Sequence, residues 1–320
     1  MPQHFLLSAR ARTLSLGTVF RMTDDAAHVA FVAIRWADNG GEPFCPRCGC
    51  VAVYAYVARR IWKCKACNHQ FSVTSGTIFA SRKLPIRTHL AAIAIFVNAV
   101  KGISALQLGR DLDVQAKTAF VMAHKLREAI GSGHDAAVLE GHVEVDGAYF
   151  GGVVRQENRK EDRKDRRRAE NQSGKRQVVA VMRERGGRTL PFVFRAEDEA
   201  VPTIRERVAT GTTVYADEAP GWDALHARFD TRRINHSIAF SDDGACTNQA
   251  ESYFSRLRRA EWGQHHHISG RYLGAYAREM AWREDTRRKA NGTLHTLVTG
   301  AALAHPVSRM WKGYWQRAAG

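Results

Sequence analysis

No apolar run in the 320 residues is long enough to span a bilayer. The longest, Leu90 to Val100, has 11 residues and includes Asn98, against the ~20 that a helical span needs. No small-residue cleavage site follows the short Phe5-Leu6-Leu7, so no secretion signal is read. Cysteine is scarce, six in all. In an intracellular chain of this size that number favours metal or free thiols over disulfides. There is no internal repeat. Acids are also short, 32 Asp+Glu against 48 Lys+Arg, for a net charge of +16. That excess predicts a polyanionic partner, nucleic acid first and an anionic membrane surface second. With 44% hydrophobic and 25% charged residues, the chain is neither wholly disordered nor fibrous. Its length suits about two domains.

The text divides into successive parts. Residues 1–40 read as a leader with one helix, capped at Thr23-Asp24-Asp25 and running from Ala26 to Trp36. Residues 41–80 hold the cysteines, 81–135 are helical in pattern, and 138–290 alternate strand and helix. Residues 291–320 read as a tail. One low-complexity stretch, Glu157 to Arg176, holds nine Lys/Arg and five Asp/Glu with no aliphatic residue larger than Ala169. It reads as a basic insertion, a loop or a disordered segment.

Cys45-Pro46-Arg47-Cys48 and Cys64-Lys65-Ala66-Cys67 make the spacing C-x2-C-x15-C-x2-C. Each pair forms a tight turn that aims two thiolates at one point. Two such turns at the ends of a hairpin close a tetrahedral site that suits structural Zn²⁺. Val51 to Val57 and Arg59 to Lys63 read as the hairpin strands. A redox pair would sit at a helix N-terminus, and neither pair opens an amphipathic helix. Cys50 and Cys246 fall outside the pattern. So small a module buries little core, and the metal should supply most of its folding energy.

Leu84 to Val100 reads as a helix. Ser104 caps a second, Asp113-Val114-Gln115 turns, and Ala116 to Ile130 forms a third. Lys117, His124, Lys125 and Arg127 are expected on the third helix's far face. Helix, tight turn and basic helix is the helix-turn-helix pattern. A plain three-helix unit with a solvated basic face has the same pattern, and the neighbouring cysteine module and net charge favour the DNA-binding reading.

In the third part, Gly141 to Asp146 alternates with period two. Glu144 and Asp146 therefore share one face and Val143 and Val145 the other. Gln177–Met182 and Thr189–Phe194 read as a hairpin, Thr203–Ala209 as a helix, Thr212–Asp217 as a strand ending in an acid, Trp222–Phe229 as a helix and Thr231–His236 as a strand. A long helix begins at Thr247 and carries Glu251. The fold class is a mixed α/β sheet with flanking helices. Asp146, Asp217 and Glu251 have the chemistry of a two-metal phosphoryl-transfer site, whose oxygen ligands select Mg²⁺ or Mn²⁺. Three solvated or salt-bridged acids would read the same. His142-Val143-Glu144 is half of a zinc-deaminase motif, but no P-C-x-x-C follows. His265-His266-His267 reads as a loop near DNA rather than a metal site.

The chain resembles bacterial insertion-sequence transposases that join an N-terminal zinc ribbon to a ribonuclease H-like DDE domain. The residues that carry the resemblance begin with Gln3–Ser8, Ala11–Ser15 and Cys45–Gly49. They continue through Trp62-Lys63-Cys64, Cys67 and Phe71–Phe79, then Lys101–Ser104 and His124–Arg127. The last are Val143–Asp146, Tyr149–Gly152 and Thr247–Arg259. The resemblance implies metal-dependent cleavage at element ends and transfer of the freed 3′-hydroxyl to target DNA. It implies a homo-oligomer on double-stranded DNA in the bacterial cytoplasm, associated with the nucleoid, and no membrane. Asp146 and Asp217 carry over as metal-binding aspartates. The third ligand is Glu251, or Asn248 as in branches with Asn at that place. Arg258, where such proteins often have Lys, would contact a phosphate. Gly147 departs from the family, which usually has Glu there. A regulator that has lost catalysis and a structure-specific nuclease are the alternative functions.

Overall fold

The computed structural model describes residues 5–152, 156–165, 171, 173–234 and 246–317. The chain forms two compact units, one of residues 1–132 with 286–320 and the other of residues 133–285. In the first, α1 (Leu16–Phe20) and α2 (Asp24–Arg35) precede the cysteine module. Thr23 caps α2 by accepting a hydrogen bond from the Ala26 N–H at 3.1 Å. Asp24 and Asp25 in its first turn suit the positive end of the helix dipole. The leader is integral to the unit, because Ala27 and Phe31 of α2 are fully buried.

Three antiparallel strands follow in the order β1 (Val53–Tyr56), β2 (Ile61–Cys64) and β3 (Gln70–Ser72). Then come α3 (Ile86–Asn98), α4 (Ala105–Asp111) and α5 (Ala116–Ile130). Ser104 caps α4 by accepting from the Gln107 N–H. Gly109 lets the turn close on α4, since a Cβ there would stand 3.0 Å from the Val114 carbonyl oxygen. The expected helices and the turn between them are present, but the expected basic face is not. His124 and Arg127 are buried, and the Trp311 ring stacks on His124 with centroids 4.4 Å apart. Lys117 stays exposed at the N-terminal turn of α5.

The second unit is built on β4 (His142–Phe150), β5 (Gln177–Glu184), β6 (Thr189–Phe194), β7 (Thr213–Asp217) and β8 (Asp230–Ile234). The order across the sheet is β6-β5-β4-β7-β8. β4, β5 and β6 are antiparallel neighbours, whereas β7 and β8 run parallel to β4. This is the mixed α/β sheet expected from the sequence. The last two residues of the strand expected at 231–236 lie outside the described residues. So do residues 166–170 and 172 of the basic insertion.

One face of the sheet takes Val143 and Val145 into a core with α6 (Val201–Arg207) and the 3₁₀ turn Pro220–Ala227. The other takes Ala148 and Phe150 into a core with α7 (Asn248–Ala260) and α8 (Gly270–Asp285). Period-two alternation along β4 thus assigns each residue to a layer. Residues 291–320, expected as a tail, are instead part of the first unit. Their α9 (Asn291–Ala304) buries Val298, Ala302 and Leu303, and its His295 ring bonds the Leu90 carbonyl at 3.1 Å.

Candidate active site

The register of β4 and β7 pairs Val145 with Ala216. The next residues, Asp146 and Asp217, therefore stand side by side on adjacent strands, on the sheet face that α7 covers. Glu251, in the first turn of α7, lines a cleft of about 620 Å³ with Asp146, Gly147, Ser255, Arg258, Arg259 and Trp262. Burial raises the Asp146 carboxyl to about 7, and the negative charges of Asp217, Glu251 and Glu197 push the same way. The Gly147 N–H opposes them by donating to its Oδ1 at 2.7 Å. Asp146 is thus the common neighbour of the other acids.

Glu197 is the acid that the sequence pattern missed. It lies between β6 and α6, and a Cβ built on Gly147 would stand 2.9 Å from its Oε1. The Glu197 carboxyl is itself raised by burial and then by Asp217 and Asp198. Gly147 therefore vacates space that another segment's carboxylate fills. No local pattern in the sequence marks position 197.

Glu144 has a different role from Asp146, although the two share a face. It is 1% exposed, and its Oε2 accepts from the N–H groups of Gln249 at 2.8 Å and Ala250 at 3.1 Å. Its Oε1 accepts from Arg185 Nε at 2.9 Å, and that guanidinium lies 3.8 Å from the centre of the Tyr215 ring. A strand carboxylate thus caps α7, satisfying N–H groups left open at a helix start. The capping role open to Asn248 in the sequence falls to Glu144 instead. Asn248 is exposed, and it does not line the cleft that holds Glu251. His265 packs edge-on against Tyr276 at 4.5 Å, and His266 has a φ of 57°, so the histidine run is a turn after α7.

The four cysteine sulfurs of Cys45, Cys48, Cys64 and Cys67 lie within 4.8 Å of one another. The Cys45–Cys67 and Cys48–Cys64 pairs are each 3.6 Å apart. A tetrahedron of thiolates with Zn–S bonds of ~2.3 Å has edges of about 3.8 Å, so the set fits zinc. The Cys67 N–H donates to Cys64 Sγ at 3.5 Å and helps hold that thiol down to about 6. Cys246 instead lies beside Arg185, 3.1 Å from its Nη2. Among the described residues, no carboxylate set is gathered as tightly as the cysteines. Ligands shared between two ions ~3.5–4 Å apart stand wider than those of one ion.

Two parts of the chain match known protein families. Residues 138–285 match the ISXO2-like transposase domain, and residues 22–70 match the transposase zinc-ribbon domain. The second match takes in α2, so the ribbon module begins earlier than residue 41. A protein of transposable element ISH50 from Halobacterium salinarum is 26% identical over 272 residues, covering 80% of this chain and 89% of that protein. The class these modules define is the insertion-sequence transposase with a zinc ribbon. Within that class, the α/β unit is similar to the ISXO2-like transposase domain.

Proposed function

We propose that the chain cuts DNA at the ends of its element and joins the freed 3′-hydroxyl to target DNA. The observation that carries this reading is the convergence of Asp146, Asp217 and Glu251, from two adjacent strands and one helix, around Asp146. Hard carboxylate oxygens gathered around Asp146, whose pKa is raised by burial and by its acidic neighbours, fit Mg²⁺ or Mn²⁺. When bound, such ions supply charge neutralisation for the attacking and leaving oxygens. Asp146, Asp217 and Glu251 would hold the ions. Arg258, on the same side of α7 as Glu251, contacts a phosphate of the bound strand. Lys117 and the exposed start of α5 contact double-stranded DNA, and the protein assembles as a homo-oligomer on the element ends in the bacterial nucleoid.

Glu251 rather than Asn248 is the third ligand in this reading. A carboxylate adds a negative charge that an amide lacks, and Glu251 lines the cleft while Asn248 does not. The test uses linear DNA carrying the inverted repeats that flank the gene, with Mg²⁺. Wild-type protein is expected to cleave and to join. Glu251→Gln is expected to lose both by more than about 100-fold while still binding DNA, as removal of a group stabilising developing charge does. Asn248→Ala is expected to cost far less. The reverse pattern transfers the role to Asn248. Cleavage without joining identifies a nuclease, and retained DNA binding with neither activity identifies a regulator.

A further inference from the structure

Trp262 is the outlier among the chain's seven tryptophans. It is 70% exposed, yet it lines the cleft that contains Asp146 and Glu251. Among the described residues no aromatic ring packs on it and no guanidinium covers it. Its neighbours in the cleft are Arg258 and Arg259, both exposed and without an ion-pair partner among the described residues. At Trp262 the helix widens into a π turn, Glu261–His265, a distortion found often at functional positions. Glu251, Ser255, Arg258 and Trp262 fall at helical spacing along one side, so acid, cations and indole form a single stripe.

An indole held open in water at a charged cleft has little stabilising role in the fold. Its flat apolar face matches a nucleobase, and paired guanidiniums beside it match the phosphates on either side of that base. We propose that Trp262 is a stacking platform for an unpaired base of the DNA strand in the cleft, with Arg258 and Arg259 holding the adjoining phosphates. The proposal rests on the reading of the cleft as the transposase active site and extends it to strand-end recognition. Eleven residues from Glu251 to Trp262 rise about 16 Å along the helix. At ~3.4 Å per nucleotide that is about five nucleotides of one strand. The platform thus meets a base a few positions from the phosphate beside the acids. A base inside a duplex is already stacked on its neighbours, so the indole discriminates in favour of DNA whose end is frayed.

The test measures binding of the full-length zinc-loaded protein to two labelled duplexes by fluorescence anisotropy, with Ca²⁺ in place of Mg²⁺. One duplex is fully paired, and the other carries about five unpaired bases at one end, the span estimated above. Wild-type protein is expected to prefer the frayed duplex by about 10-fold, in the range of one base stacked on an aromatic side chain. Trp262→Ala should lose the preference with little change on the paired duplex. Trp262→Phe should keep most of it, which separates stacking from a folding defect. The idea is overturned if wild type shows no preference, or if Trp262→Ala keeps it or weakens both duplexes alike. Cleavage and joining are read separately: a wild-type protein that shows the preference but never cuts overturns the transposase reading and leaves the platform standing.

Discussion

At the scale of single residues, two carboxylates on one strand face have opposite fates. Asp146 faces other acids, and the buried Glu144 faces two N–H groups and a guanidinium. Glu144→Ala is therefore expected to cost about 3 kcal/mol, because it strands donors and a cation that the carboxylate answered. Glu144→Gln, which keeps an acceptor, should cost about half of that. Urea denaturation of the full-length protein, followed through the second unit, measures both, and equal unfolding midpoints for Glu144→Ala and wild type would refute the role. The period-two pattern placed both acids on one face correctly. It could not separate their roles, because the groups that answer Glu144 come from Arg185 after β5 and from a helix about a hundred residues later. Glu197 escaped for the same reason: its approach to Gly147 is set by the turn between β6 and α6.

At the scale of elements, local chemistry was readable wherever the pattern was self-contained. The bounds of α5, the β5–β6 hairpin and the β7 strand ending in Asp217 follow from spacing and turn residues. The cysteine turns did as well, since four thiols at two x2 spacings have few other uses. What spacing could not show is what covers an element. The basic side of α5 looked solvated until Trp311 came to lie on His124. α9 is rich in Ala, Gly and Thr, so no strongly polar side set its period apart from a tail. The ribbon also has more support than its size implied: Trp62 meets Trp36, the residue after α2, edge-on at 5.3 Å and stacks near Phe71 at 5.9 Å. Cys64→Ser should thus release zinc and loosen residues 41–80, weakening DNA binding, while the second unit stays folded. Metal analysis by mass spectrometry should find one zinc per wild-type chain and none in the variant. Finding no zinc in reduced wild-type protein sinks the assignment.

At the scale of the whole molecule, the net charge of +16 governs encounter with DNA. Affinity for unrelated DNA should fall about 10³–10⁵-fold between 50 and 200 mM salt if six to ten phosphates are contacted. Deleting residues 157–176 should reduce that slope and leave the preference for element ends intact. Filter binding across a salt series decides it: an unchanged slope with altered end preference would contradict a purely electrostatic role. The division of the chain has a further consequence for its birth on the ribosome. The first unit is interrupted between residues 132 and 286, and α9, which bonds α3 through His295 and Leu90, is made after the whole of the second unit. At ~5–20 residues per second, the ribosome takes about 8–30 s to translate the intervening stretch. The second unit is therefore complete in sequence before the ribbon-bearing unit receives α9. A messenger cut short after the α/β unit would direct synthesis of a whole sheet beside a half-built partner, so completion of the two halves is timed by the order of the gene.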